Sequence, residues 1–566
     1  MAASRYNFDI QVQFDGRWIT ETIRDREDEA RALAAQLFAN RTCEGARIVR
    51  NWTRPDGKIV ETEVFCQTRA VKDDGPIRIV QIESAPAKCE ALKDYFSYDS
   101  RQTMIRLFRD YFNKILVTPT EVIHDFKELQ RIQDKDSLVR SAIDQVAYLQ
   151  TRESEQETKS RRDELYKSFD QMSDRARQVD RAGLPRLDGK FSEMMGAIGG
   201  VLDQEERDYL ALVALSRDLL NLRNWLGKLE LLCSLTAIED DPHAIQLLDG
   251  VIADVLGSDV IQEILGWQST LADAICQMFD LADGTMATGK SHAGESAINL
   301  NQLLASGKLP ASRRCIVDRA HRQLRAANPL HPRDILQEFD EFRKVLARLL
   351  LPTGLHSGPE TAEALTTRFS RMVEQGGSTG RRAAICGVFG AMPDRATGAI
   401  YLCDLARSGY AKDHLADMIE LFDLVYVTDS IGELCQPMLS PKELMTRATT
   451  AFHAVIDSPF PADVKRKIAD HIDGVLERYL VEERIVEKLD HPDSHLRDRA
   501  RLLVQFCGSG LLPEGRALAR ARERTLALLR QPDFTTRFVS GIADPALAQK
   551  ALREFYGLLN SKGGFR

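Results

Sequence analysis

Residues 203–241 constrain the fold more than any other stretch. Leu212, Leu215, Leu219, Leu222, Leu226, Leu229 and Cys233 recur at alternating three- and four-residue steps, which places them in one stripe down a helix. Leu210, Val213, Leu220, Leu232 and Leu235 widen the stripe, and Arg217, Asn221, Asn224 and Lys228 leave only a narrow polar line. Asp203 followed by Glu206 reads as a capping box at the start, and Asp241-Pro242 as the stop. The pattern predicts a central helix over 204–240, about 50 Å long at roughly 1.5 Å per residue, with Gly227 as the place to bend or break. Such a helix must be covered on several sides, either by an all-α body or as the seam of a homo-oligomer.

The rest of the chain fits that demand. Residues 6–14 (YNFDIQVQF) alternate apolar and polar side chains, Asp15-Gly16 marks a hairpin turn, and a second strand runs through Trp18 and Ile23. Ala30, Leu33, Ala34, Leu37 and Phe38 share one helix face. Two further strands, 47–53 and 59–65, flank Pro55-Asp56-Gly57, and 77–82 is a candidate edge strand. These elements make a small ββαββ module within residues 1–88.

From residue 89 the periodicity is helical. The fold class expected is mainly α: the N-terminal module, then an extended all-α body, a helical bundle or α-solenoid-like array. The domains expected are a helical domain over 89–282, a loop or linker rich in small residues over 283–311, and helical hairpins over 312–566. Within the last, helices are predicted at 312–327, 332–351, 359–375, 395–408, 412–427, 441–456, 461–483, 495–507, 514–530 and 544–559. The charged segment 150–181 carries Leu165, Phe169, Met172, Ala176 and Val179 at heptad spacing and reads as an exposed connecting helix. An echo, LLPTG at 350–354 and LLPEG at 511–515, precedes a helix each time, without a fixed repeat period.

Composition narrows the function. With 566 residues the chain exceeds what one small core serves, and a net charge of −8 argues against a general nucleic-acid binder. Ten cysteines are dispersed and none forms CxxC, so neither a zinc site nor a redox pair is indicated, and a reducing, cytoplasmic setting follows. No stretch reaches eighteen apolar residues, so no membrane insertion is expected. Arginine outnumbers lysine 55 to 21, a bias shared with GC-rich bacterial genomes.

Four short motifs carry chemistry on paper. Gly284, Gly289, Lys290 and Ser291 fit the phosphate loop GxxxxGK[ST], in which loop amides cradle phosphates, the lysine reaches the terminal ones and the serine holds magnesium. That loop needs a strand before it, whereas 270–283 reads as an amphipathic helix. Residues 376–380 (GGSTG) fit the nucleophile elbow GxSxG, again after a helical stretch. His491 and His495 stand four apart, but Pro492 and Ser494 suit a helix start better than a metal site. His124-Asp125 resembles the paired ligands of helical metal-dependent phosphohydrolases, yet no histidine precedes it to supply the upstream ligand. No catalytic residue, metal site or cofactor is assigned.

Basic faces occur at 313–325 and at Arg516, Arg520 and Arg524, a four-residue spacing that makes one positive ridge able to dock an acidic or phosphate-bearing partner. The expected function is a non-enzymatic cytoplasmic interaction or regulatory scaffold that binds a protein partner through its N-terminal module and helical surface. A nucleotide-binding switch using 284–291 is the alternative, and a helical metal-dependent hydrolase the second.

Overall fold

The computed structural model describes residues 6–14, 17–39, 45–53, 59–68, 77–135, 137–152, 154–198, 203–222, 224–287, 293–331, 337–373 and 377–562. The chain divides into two compact units, residues 1–81 with 132–142, and residues 82–131 with 143–566.

In the first unit, strands β1 (Tyr6–Phe14), β2 (Arg17–Arg24), β3 (Gly45–Thr53) and β4 (Ile59–Thr68) form one antiparallel sheet in the order β2-β1-β3-β4. The helix Glu27–Ala39 lies between β2 and β3 in sequence, as the ββαββ reading requires. Alternation sorts the two faces. Phe8, Ile10, Ala46 and Ile48 are buried with Ala30 and Ala34 of the helix. The opposite face carries a polar line across the strands, with Gln11 donating to Thr20 (3.1 Å) and Arg47 donating to Gln11 (2.8 Å). The Arg47 guanidinium also lies over the Trp18 ring, 4.6 Å from its centre. The turns Asp15-Gly16 and 55–57 lie outside the described residues, and 77–82 forms no strand.

The second unit is helical apart from a two-stranded ribbon, Leu350–Leu351 against Gly354–Leu355. Its central stretch departs from the expected single helix: Gln204–Leu220 and Trp225–Ile238 are separate. The break falls at 221–224, ahead of Gly227. Asn224 caps the second helix by accepting from the Gly227 amide, and its carboxamide lies 2.7 Å from where a Gly227 Cβ would stand. Gly227 is therefore part of the cap. Asp203 caps the first helix through the Glu206 amide, but the Glu206 carboxylate takes Arg175 (2.7 Å) and does not close the box. Leu212, Leu215, Leu219, Leu229 and Cys233 are buried in the chain's own core, so the stripe is not left open as an oligomer seam.

Beyond Trp225 each long helix packs on its neighbours in a running series. Pro242–Leu256 packs on Trp225–Ile238 and Pro310–Arg325. The latter also meets Leu271–Ala282 and Pro359–Met372, and Pro359–Met372 meets Arg395–Arg407. The series continues through Pro441–Ile456, Ala462–Glu482, Arg516–Leu529, Leu496–Cys507 and Pro545–Lys562. One apolar core runs through it from Phe191 to Phe555. Residues 143–566 fall in one compact unit, and the segment expected as a linker contains the helix Gly294–Ala305, whose Ala297 and Leu300 are fully buried and which packs on Trp225–Ile238. The expected single helix at 412–427 is two, Leu415–Leu421 and Asp423–Tyr426. The segment expected to expose a connecting helix forms Thr158–Val179, with Arg161, Leu165, Met172 and Ala176 buried.

Buried acids join successive helices. Asp249 accepts from the Ala311 and Ser312 amides (2.6 and 2.9 Å) at the start of Pro310–Arg325. Asp473 does the same for Arg516 and Ala517 (2.6 and 3.1 Å). First-turn amides have no partner inside their own helix, so a carboxylate from a neighbour satisfies them and matches the positive end of the helix dipole. The second LLP motif leads into the helix that Asp473 caps. The first leads, through the ribbon, to Gly358, which faces the buried Asp404.

Candidate functional site

Gly284 sits at the C-terminal end of Leu271–Ala282 with φ +69°, and its amide donates to Leu281 (2.9 Å). A Cβ there would stand 2.4 Å from the Ala305 backbone. Helix termination and a close approach thus account for this glycine, and the element entering the loop is a helix. Gly289, Lys290 and Ser291 lie outside the described residues. In the GxSxG stretch Gly376 also lies outside them, and the following residues open the helix Gly377–Ala391.

The other sequence candidates occupy structural positions. His495 caps Leu496–Cys507, its ring accepting from the Arg497 amide. His124 is buried between Phe96 and Tyr209, and burial pushes its pKa down to about 3. Asp125 caps the following helix through the Lys127 and Glu128 amides. Among the described residues no three His, Cys, Asp or Glu side chains group so as to hold a metal ion. On the basic ridge, Arg516 donates to the Asp470 carbonyl and pairs with Asp473, while Arg524 pairs with the buried Asp490 (2.5 Å). Two of the three ridge charges are thus answered by acids of neighbouring helices.

The structure assembles a polar cluster that no short motif announces. Asp283 ends Leu271–Ala282, and its carboxylate receives Arg348 (2.7 Å) from the end of Glu338–Leu349 and Arg313 (3.0 Å) from the first turn of Pro310–Arg325. His356, in the turn after the ribbon, places Nε2 at 3.1 Å from Asp283 Oδ1 and Nδ1 at 2.9 Å from Ser357 Oγ. The imidazole is buried and lies edge-on to Phe279 at 4.7 Å, and the His356 backbone amide donates to the Leu349 carbonyl (2.8 Å). Burial lowers its pKa, against the pull of Asp283. For Asp283 burial acts the other way, but the bonds from Arg348, His356 and Arg313 outweigh it and hold the carboxylate below its usual range. Ser357 is exposed at φ +58°, and Gly358 follows at φ +50°, ψ −114° as the cap of Pro359–Met372. Asp404, buried beside Gly358, is pushed up by burial to about 6.

A second feature is apolar. Trp267 is 82% exposed, in the short connection between Val260–Leu265 and Leu271–Ala282. The connection is pinned by Gln268 donating to the Leu265 carbonyl (2.8 Å), Thr270 donating to Glu341 (3.1 Å) and the left-handed Gly266 (φ +68°). The only signal for it in the sequence is a glycine before a tryptophan between two helical patterns.

No protein-family model, curated protein or solved structure matches the chain. Among the described residues no helix is long and apolar enough to cross a membrane.

Proposed function

We propose that the chain is a cytoplasmic interaction scaffold whose helical series displays Trp267 to a protein partner. The observation that carries this reading is the exposure of that indole on a pinned connection. Tryptophan is seldom left so open, and it is among the residues that dominate binding energy when a partner buries them. The net charge of −8 favours a protein over nucleic acid as partner. The polar sheet face of the N-terminal module, from Thr20 through Gln11 to Arg47, offers a second, hydrogen-bonding surface. Nine free, dispersed cysteines among the described residues support a reducing compartment. The nucleotide reading lacks the strand that a phosphate loop requires.

Trp267→Ala tests the proposal. Affinity purification of the tagged full chain from its native host, quantified against wild type, is expected to lose one or a few proteins while the melting temperature is unchanged. An identical set of proteins from both chains would overturn it.

A further inference from the structure

We propose that Ser357, His356 and Asp283 form an acyl-transfer centre that hydrolyses small carboxylic esters presented from solvent. The three side chains make one hydrogen-bonded line, Ser357 Oγ to His356 Nδ1 (2.9 Å) and His356 Nε2 to Asp283 Oδ1 (3.1 Å). The surroundings fix the direction of that line. Asp283 is held ionised by Arg348 and Arg313 and only accepts, so Nε2 carries the ring proton. With Nε2 protonated, the Nδ1 lone pair faces the serine hydroxyl, the arrangement a general base needs. The opposite tautomer would set the Nε2 lone pair against carboxylate lone pairs at 3.1 Å. Arg313 Nη2 also stands 3.2 Å from Nε2, which could accept from it only in the opposite tautomer, but the same nitrogen donates to Asp283 Oδ1 at 3.0 Å, and the charge-assisted bond to that carboxylate keeps the ring proton on Nε2.

Position matters as much as the bonds. The imidazole is buried, which lowers its pKa, while Ser357 beside it is an exposed residue, so substrate meets the serine without displacing the base. Ser357 is one of only a few non-glycine residues at positive φ among the described residues, and this strain turns it outward at the mouth of a helix. The first-turn amides of Pro359–Met372 at Glu360 and Thr361 have no acceptor within the helix and provide donors next to the turn.

The reaction balances without a further reagent. Ser357 Oγ forms a bond to the ester carbonyl carbon as its proton passes to His356 Nδ1. Collapse breaks the ester C–O bond, and the Nδ1 proton leaves with the alcohol. Water then attacks the acyl-serine, giving its proton to Nδ1, and the acid departs as Ser357 recovers its proton. The sum is ester plus water to acid plus alcohol.

The full-length chain treated with a fluorophosphonate probe decides the matter. A single adduct that peptide mass spectrometry places on Ser357 is expected. In Ser357→Ala, which removes one hydroxyl from an exposed residue, labelling and p-nitrophenyl acetate hydrolysis should fall at least 100-fold while the chain stays folded by circular dichroism. Asp283→Asn, if folded by circular dichroism, should label at least tenfold more slowly. An unlabelled Ser357 in folded protein, or an adduct and esterase rate that survive Ser357→Ala, would overturn the proposal.

Discussion

Replacing Lys228 with methionine removes one half of a closed ion pair and leaves the other half stranded. Lys228 Nζ donates to Glu121 Oε1 (2.5 Å) and to the Leu116 carbonyl (2.6 Å), and both charged side chains are almost completely excluded from solvent. Glu121 also closes a capping box by accepting from the Thr118 amide (2.7 Å), so its carboxylate cannot turn outward when the lysine is gone. Breaking a buried pair from one side costs about 3–5 kcal/mol, because an unpaired charge stays in a low-dielectric interior. Guanidinium unfolding of Lys228→Met should therefore show a loss in that range. The double variant Lys228→Met, Glu121→Leu removes both charges and should recover part of that loss, stopping about 1–3 kcal/mol short of wild type because the buried Thr118 amide then lacks its acceptor. A single-variant loss below about 1 kcal/mol, or a double variant no better than the single, would refute this reasoning.

Three further outcomes follow from the same physics. Gly284→Ala forces a Cβ against the Ala305 backbone at positive φ and should lower stability by about 2 kcal/mol or more by thermal unfolding, with or without ATP; a loss seen only with nucleotide present would restore the phosphate loop. His124, at about 3 when folded against 6.5 when unfolded, contributes stability that is complete above pH 6.5 and is lost as pH falls towards 3, so His124→Phe should flatten the acid limb by about 1.4 kcal/mol per pH unit between pH 6 and 4, and an unchanged slope would contradict it. Asp404 is raised to about 6 from 3.8, so its contribution is complete below pH 4 and is lost as pH rises through 6; Asp404→Asn should gain up to about 3 kcal/mol at pH 8 and nothing at pH 4, and a gain equal at both would contradict it.

What could be read from the sequence was local. The helix expected at 441–456 is there, because its start is set within four residues: Ser440 and Glu443 satisfy each other's amides in a capping box. The sheet module was legible because alternation in β1 decides which face meets Ala30 and Ala34. The helix Gly294–Ala305 was missed because small residues dominate its surroundings, although Ala297, Leu300 and Leu304 keep a helical spacing. The break before Trp225 was placed three residues late because a glycine signals a break more loudly than the asparagine that caps the next helix. The Asp283–His356 contact spans 73 residues and depends on two helix ends and a ribbon meeting, so no spacing rule could have found it. Trp267 was invisible for the opposite reason: an apolar residue beside a helix reads as core until packing leaves it out.

The most direct test of the scaffold reading is in-cell photocrosslinking with p-benzoylphenylalanine placed at position 267 and, as a control on the same unit, at Arg343, which is also highly exposed. A discrete crosslinked protein at 267 that is absent at 343 is the result expected if the indole seats a partner. The same adducts at both positions, or none at 267, would contradict the claim that this connection is a recognition surface.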